Sequence, residues 1–125
     1  MVRGIRGATT IQNNTKEEII EAVEEMITEI FKLNDLKIKN ISYILFSATP
    51  DITASFPASA VRLMGNPWNQ LACLDFQQMQ VGGSMEKVIR ALVVTDTDKE
   101  MDEIVHVYLR DADRLRLDRL KNDGV

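Results

Sequence analysis

The sequence predicts an α/β (α+β) domain in which a mixed β-sheet is packed with helices. Three observations carry that expectation. Residues 15–34 space their apolar side chains as a helix does. Ile41–Ser47 and Val88–Thr95 are short, nearly continuous apolar runs of the kind a buried strand needs. Strand and helix signals alternate along 125 residues, the length of one domain, so residues 1–125 read as a single unit with a flexible tail over roughly 117–125.

The elements follow in order. Residues 2–11 read as a strand rich in β-branched side chains, and its Gly4 and Gly7 predict a bulge or the close approach of another backbone or ligand. Asn13-Asn14 makes a turn. Thr15 with Glu18 three residues on is a capping box that starts a helix. Ile19, Ile20, Val23, Ile27, Ile30 and Phe31 then form its apolar face, with glutamates opposite, and Asn34-Asp35 ends it. Ile41–Ser47 reads as a strand buried on both faces, closed by Ala48-Thr49-Pro50-Asp51. Pro57 opens a short helix from Ala58 to Met64. A strand at Leu71–Asp75, a turn at Gly82-Gly83 and the strand Val88–Thr95 come next. A short helix across Lys99–Glu103 leads to a last strand, Val105–Leu109.

Fifteen basic and nineteen acidic residues give a net charge of -4, which argues against a nucleic-acid binder. The longest apolar runs fall short of a membrane span, and residues 1–6 lack the apolar core of a signal peptide. One cysteine, Cys73, forms no internal pair, so a reducing cytoplasm is the expected compartment. The charge is uneven. Six glutamates against two lysines in residues 15–34 account for -4, which leaves the rest of the chain neutral with a scatter of arginines. Such a protein can still offer a basic pocket to a small anion.

Motifs for nucleotide binding, a metal cluster or a nucleophilic pair are not legible: His106 is the single histidine, with no companion at ligand or triad spacing. Flanked by Val105 and Val107, it reads as a strand histidine making a structural hydrogen bond. The arginines stand out instead. Arg90 interrupts an apolar strand and Arg6 lies in a β-rich one; neither can shed its charge, so each needs an anion or a set of acceptors. A protein carboxylate or an edge position would meet that need. So would a small molecule bearing carboxylates, gripped by Arg6, Arg90 and Tyr108 from three strands.

In order and spacing, several segments resemble one family, the monofunctional trimeric chorismate mutases. They are Arg3-Gly4-Ile5-Arg6-Gly7-Ala8-Thr9-Thr10, Ser47-Ala48-Thr49-Pro50-Asp51, Phe56-Pro57-Ala58, Val88-Ile89-Arg90, His106-Val107-Tyr108-Leu109 and Leu115-Arg116. The resemblance implies a homotrimer of pseudo-α/β-barrel form with active sites at the subunit interfaces. It implies the rearrangement of chorismate to prephenate in phenylalanine and tyrosine biosynthesis, with no metal or cofactor. Arg90 is then expected at the ether oxygen and a substrate carboxylate, with Arg6 and Tyr108 on the enolpyruvyl carboxylate. Phe56, Ala58, Cys73 and Leu74 line the pocket from the neighbouring subunit, Leu115 covers it, and Arg62 and Arg116 lie at the mouth.

Some positions depart from the family. Gln78 stands where a glutamate is common and Asp75 where a cysteine or small residue is common; both are expected at the ring hydroxyl, which would donate to Asp75 and accept from the Gln78 amide. Ser59 replaces a basic residue at the pocket rim, and Leu117 a proline. Two rival readings keep other parts of the pattern. A catalytically silent trimer would bind an aromatic-pathway carboxylate as a regulator, and a structural module would pair its arginines internally.

Overall fold

The computed structural model describes residues 1–115. Its frame is β1 (Val2–Thr10), α1 (Lys16–Leu33), β2 (Ile41–Ala48), α2 (Ala58–Leu63), β3 (Cys73–Gln77), β4 (Val88–Asp96) and β5 (Val107–Tyr108), joined by short 3-10 turns. The strands form one mixed sheet in the order β3-β2-β4-β1-β5. β4 runs antiparallel to both β1 and β2, while β3 and β5 add parallel edges. Among the described residues, no helix is long and apolar enough to cross a membrane.

Helix α1 begins as its capping residues dictate. Thr15 Oγ accepts the Glu18 N–H at 3.2 Å. The Glu18 carboxylate reaches back past the cap to the N–H groups of Gln12 (3.0 Å) and Asn13 (2.7 Å). Those donors hold its carboxyl below the ordinary range. The apolar stripe of α1, from Ile19 to Phe31, is buried against the sheet together with Ile5, Ile44, Phe46, Ile89, Ala91 and Val93.

The strand glycines resolve into one of their two expected causes. β1 pairs with β4 without a register break from Val2 to Thr10, so there is no bulge at Gly4 or Gly7. Gly7 instead lets α1 approach: a Cβ there would lie 2.5 Å from Ile30 Cδ1 and 3.2 Å from Met26. The irregularity sits in β2, between Ile41 and Tyr43.

Three expectations need correction. β3 lies two residues later than Leu71–Asp75, because Leu71 closes the 3-10 turn Trp68–Gln70. β5 is confined to Val107–Tyr108, because the residues before it, Val105 and His106, bond through side chains rather than a ladder. β2 is not buried on both faces; Ile44 and Phe46 are buried under α1, whereas Tyr43 is 41% exposed.

That last difference describes the whole sheet. Across the strands, Arg6, Leu92, Leu45 and Leu74 share one row, and Tyr108, Ala8, Arg90, Ser47 and Phe76 share the next. Both rows lie on the face away from α1, since alternate residues of a strand point to opposite sides. On this open face Leu74 is 61% exposed and Phe76 51%. A contiguous apolar sheet face left in water marks an interaction surface.

Candidate active site

Two groups of side chains carry chemistry, and they are distinct: Arg6, Arg90 and Tyr108 are not among the residues that line the cleft. The first lies on the open face. Arg90 and Tyr108 occupy one cross-strand row, and Arg6 sits in the next, diagonal to Tyr108. Arg90 is on β4, the central strand of five, rather than at an edge. Among the described residues, neither Arg6 nor Arg90 forms an ion pair. The partner of Arg90 is neutral: its Nε donates to Gln78 Oε1 at 3.0 Å. Since Nε is only a donor, the Gln78 oxygen must face it, which leaves the amide NH2 as a donating end and both Arg90 terminal nitrogens for a ligand.

The loop before β4 fixes the height of Arg90 in this face. Thr49 Oγ accepts the Val88 N–H at 3.0 Å and donates to Asp51, whose carboxylate accepts the Lys87 N–H at 3.0 Å. The segment Ser47–Asp51, legible only as a strand end and turn, thus brackets the start of the arginine-bearing strand.

The second group surrounds a cleft of about 880 Å³ beside α2, lined in part by Phe56, Ser59, Arg62, Leu63 and Asp75. Phe56 is 69% exposed at its wall, although a phenylalanine is more often core. Its loop is held by Asn14, whose side-chain oxygen accepts the N–H groups of Thr53 and Ala54, both at 3.1 Å. Asn14 was legible only as part of a turn. Arg62 donates to Ser59 Oγ at 3.0 Å, so the serine at the rim orients the cation there. Ala58 is buried, and its N–H donates to Asp75 Oδ1 at 2.9 Å.

Strand parity divides the remaining expected site residues. Cys73 and Asp75 point to the α1 side, and Leu74 to the open face in the row of Arg6, so Cys73 and Leu74 do not line one wall. Asp75 stands at the cleft, accepting from Ala58, while Gln78 contacts Arg90. His106 makes the expected structural bond, its Nδ1 accepting the Arg6 N–H at 2.9 Å. Leu115 is half-buried at the end of the described residues, and Arg116 and the tail at 117–125 lie outside them.

Burial raises the Asp75 carboxyl above its ordinary value of 3.8, against the opposing pull of the Ala58 N–H and Arg62. Burial, and then the Asp75 charge, push the Cys73 thiol up as well, which makes it a poor nucleophile. The raised carboxyl has a stability consequence. Between the unfolded and folded values the native chain holds a proton the unfolded chain has lost, so stability is full at low pH and declines as pH rises through the folded value. Asp75→Asn keeps an acceptor for Ala58 but no charge. It should melt above the parent in neutral buffer, with the gap closing as pH falls toward 3.8. A gap equal at both ends of a pH series of melting curves would contradict this.

The comparisons agree with one another. The family model described as chorismate mutase type I matches residues 2–119. The chain is 41% identical over 118 residues to the chorismate mutase AroH of Bacillus subtilis (strain 168), covering 94% of this chain and 92% of that one. It is 39% identical over 119 residues to the chorismate mutase AroH of Thermus thermophilus, covering 94% and 96%. A solved chorismate mutase from Clostridium thermocellum superposes with a TM-score of 0.86 at 39% identity, covering 90% of this chain and 98% of that one.

Proposed function

The chain belongs to the type I chorismate mutase family, and from that premise we propose that its active site is shared between copies in a homotrimer, the arginine face of one protomer closed by the Phe56–Arg62 cleft of the next. The protein is a chorismate mutase, an isomerase that converts chorismate to prephenate. In this [3,3] rearrangement the ether C–O bond breaks as the enolpyruvyl carbon bonds to the ring. Negative charge develops on the ether oxygen, and the side chain must fold over the ring. Catalysis therefore needs a fixed pose and a fixed donor, not a nucleophile.

The observation that carries the shared site is the separation of the two groups. Among the described residues, one face offers Arg6, Arg90, Tyr108 and Gln78. The cleft offers Phe56, Ser59, Arg62 and Asp75 without those arginines. Neither half surrounds a dianion alone. Docking one face on the other's cleft supplies both, and it covers Leu74 and Phe76.

In that arrangement Arg90 aims its two terminal nitrogens at the ether oxygen and a carboxylate, oriented by Gln78. Arg6 and Tyr108 hold the enolpyruvyl carboxylate. From the adjoining protomer, Phe56 packs on the substrate and Arg62, steadied by Ser59, draws the dianion to the mouth. Ala58 and Cys73 support that wall from beneath, with Asp75 at the ring-hydroxyl end. Leu115 closes the entrance. The biosynthetic substrate supports a cytoplasmic enzyme.

The test is to follow chorismate by ultraviolet absorbance, assay prephenate, and measure mass by sedimentation equilibrium. Stoichiometric conversion by a particle three times the 14.2 kDa chain is expected. Full activity in a particle of one chain's mass would overturn the shared site, and binding without conversion would favour a regulatory trimer.

A further inference from the structure

β5 is too short to hold its own register. Its parallel pairing with β1 covers only Gly7↔Val107 and Ala8↔Tyr108, with one more bond from the Leu109 N–H to the Ala8 carbonyl at 2.9 Å. A slip of one residue in so short a ladder would turn Tyr108 to the opposite face. Asn34 grips both backbone groups of Val105, at 2.8 and 2.9 Å, but it belongs to the end of α1 and ties the segment to the helix rather than to β1.

The missing rung is made by a side chain. The Ala8 carbonyl faces β5, so the N–H of Arg6, two residues earlier in the same strand, faces it too. His106 Nδ1 accepts that N–H at 2.9 Å. An accepting Nδ1 carries no proton. We propose that His106 is a positioning residue: its Nδ1 serves as a surrogate backbone acceptor that locks β5 to β1 and so sets Tyr108 diagonal to Arg6, the pair that grips the substrate carboxylate. This rests on the assignment of that pair under Proposed function. His106 touches no reacting atom; it acts through the spacing of two residues that do.

The substitutions follow from bond counts. Asparagine carries Oδ1 the same number of bonds from Cβ as Nδ1, so it can accept from Arg6. Glutamine carries its oxygen one bond further, where Nε2 would lie. His106→Ala should raise KM about tenfold with a smaller change in kcat, the effect of losing one hydrogen bond's worth of alignment in the binding grip. His106→Asn should restore most of the affinity and His106→Gln should not. Amide exchange is the second readout: Arg6 N–H should lose protection in the alanine and glutamine variants and keep it with asparagine, while the amides of β4 stay protected in all. Unchanged KM in His106→Ala, or asparagine no better than alanine, overturns the proposal. Arg6→Ala is measured beside them. If it raises KM and His106→Ala does not, only the positioning role fails; if Arg6→Ala leaves KM unchanged, the grip itself is wrong and the positioning role falls with it.

Discussion

Arg90→Ala is expected to lower kcat about 100-fold or more while the chain keeps its fold and assembly, because a positioned donor aimed at developing charge contributes about 3–4 kcal/mol. The geometry explains why so much depends on one side chain. Arg90 sits on the central strand and meets no carboxylate among the described residues; its side-chain partner there is the neutral Gln78. Among the described residues its charge is not offset, and in the proposed site its two terminal nitrogens meet the substrate. Arg90→Lys should recover little of the loss. An ammonium keeps the charge but not the fork, so it cannot keep the Gln78 contact and also serve two substrate oxygens. Single-turnover formation of prephenate, with circular dichroism as the folding check, measures the effect. A variant within threefold of the parent would remove Arg90 from the chemistry.

Tyr43→Asp carries the second large effect. Tyr43 lies on the open face in the row of Gly4 and Val94, separated from Arg90 by the intervening row of Arg6 and Leu45. A carboxylate there does not approach the catalytic arginine. If the open face docks as proposed, it would however be buried unpaired on assembly, which costs several kcal/mol. The expected result is a folded single chain with kcat/KM about 100-fold lower, activity returning as protein concentration rises. Tyr43→Phe, apolar and of similar shape, should assemble and turn over like the parent. Sedimentation and activity read at the same concentrations decide it: a single chain that is fully active would mean the site is complete in one protomer.

Helix α1 was legible because its signals are local. The Thr15–Glu18 box and the apolar spacing from Ile19 to Phe31 specify a helix whatever packs against it. The apolar strand β4 was legible for the same reason. The short strand β5 was overextended from sequence, since Val105-His106-Val107 looks like a ladder but bonds through the side chains of Asn34 and His106. Of the candidate site, Arg6, Arg90 and Tyr108 stood out as charged or polar residues in strand-like runs, and they share one face of the sheet. The roles of Asn14 and of Thr49 with Asp51 did not stand out, because a turn residue's partners lie far along the chain.

By itself the sequence determined the helix, the approximate strands, the arginines placed in strand-like runs and, through motif order, the family and its reaction. Those features depend on nearest neighbours and on spacing along the chain. The tertiary structure alone decided which face each strand residue meets, and hence that Arg6 and Arg90 share the open face while the Phe56–Arg62 cleft is built without them. Facing is a matter of register between strands distant in sequence, where a shift of a single residue reverses every side chain. No local pattern encodes that.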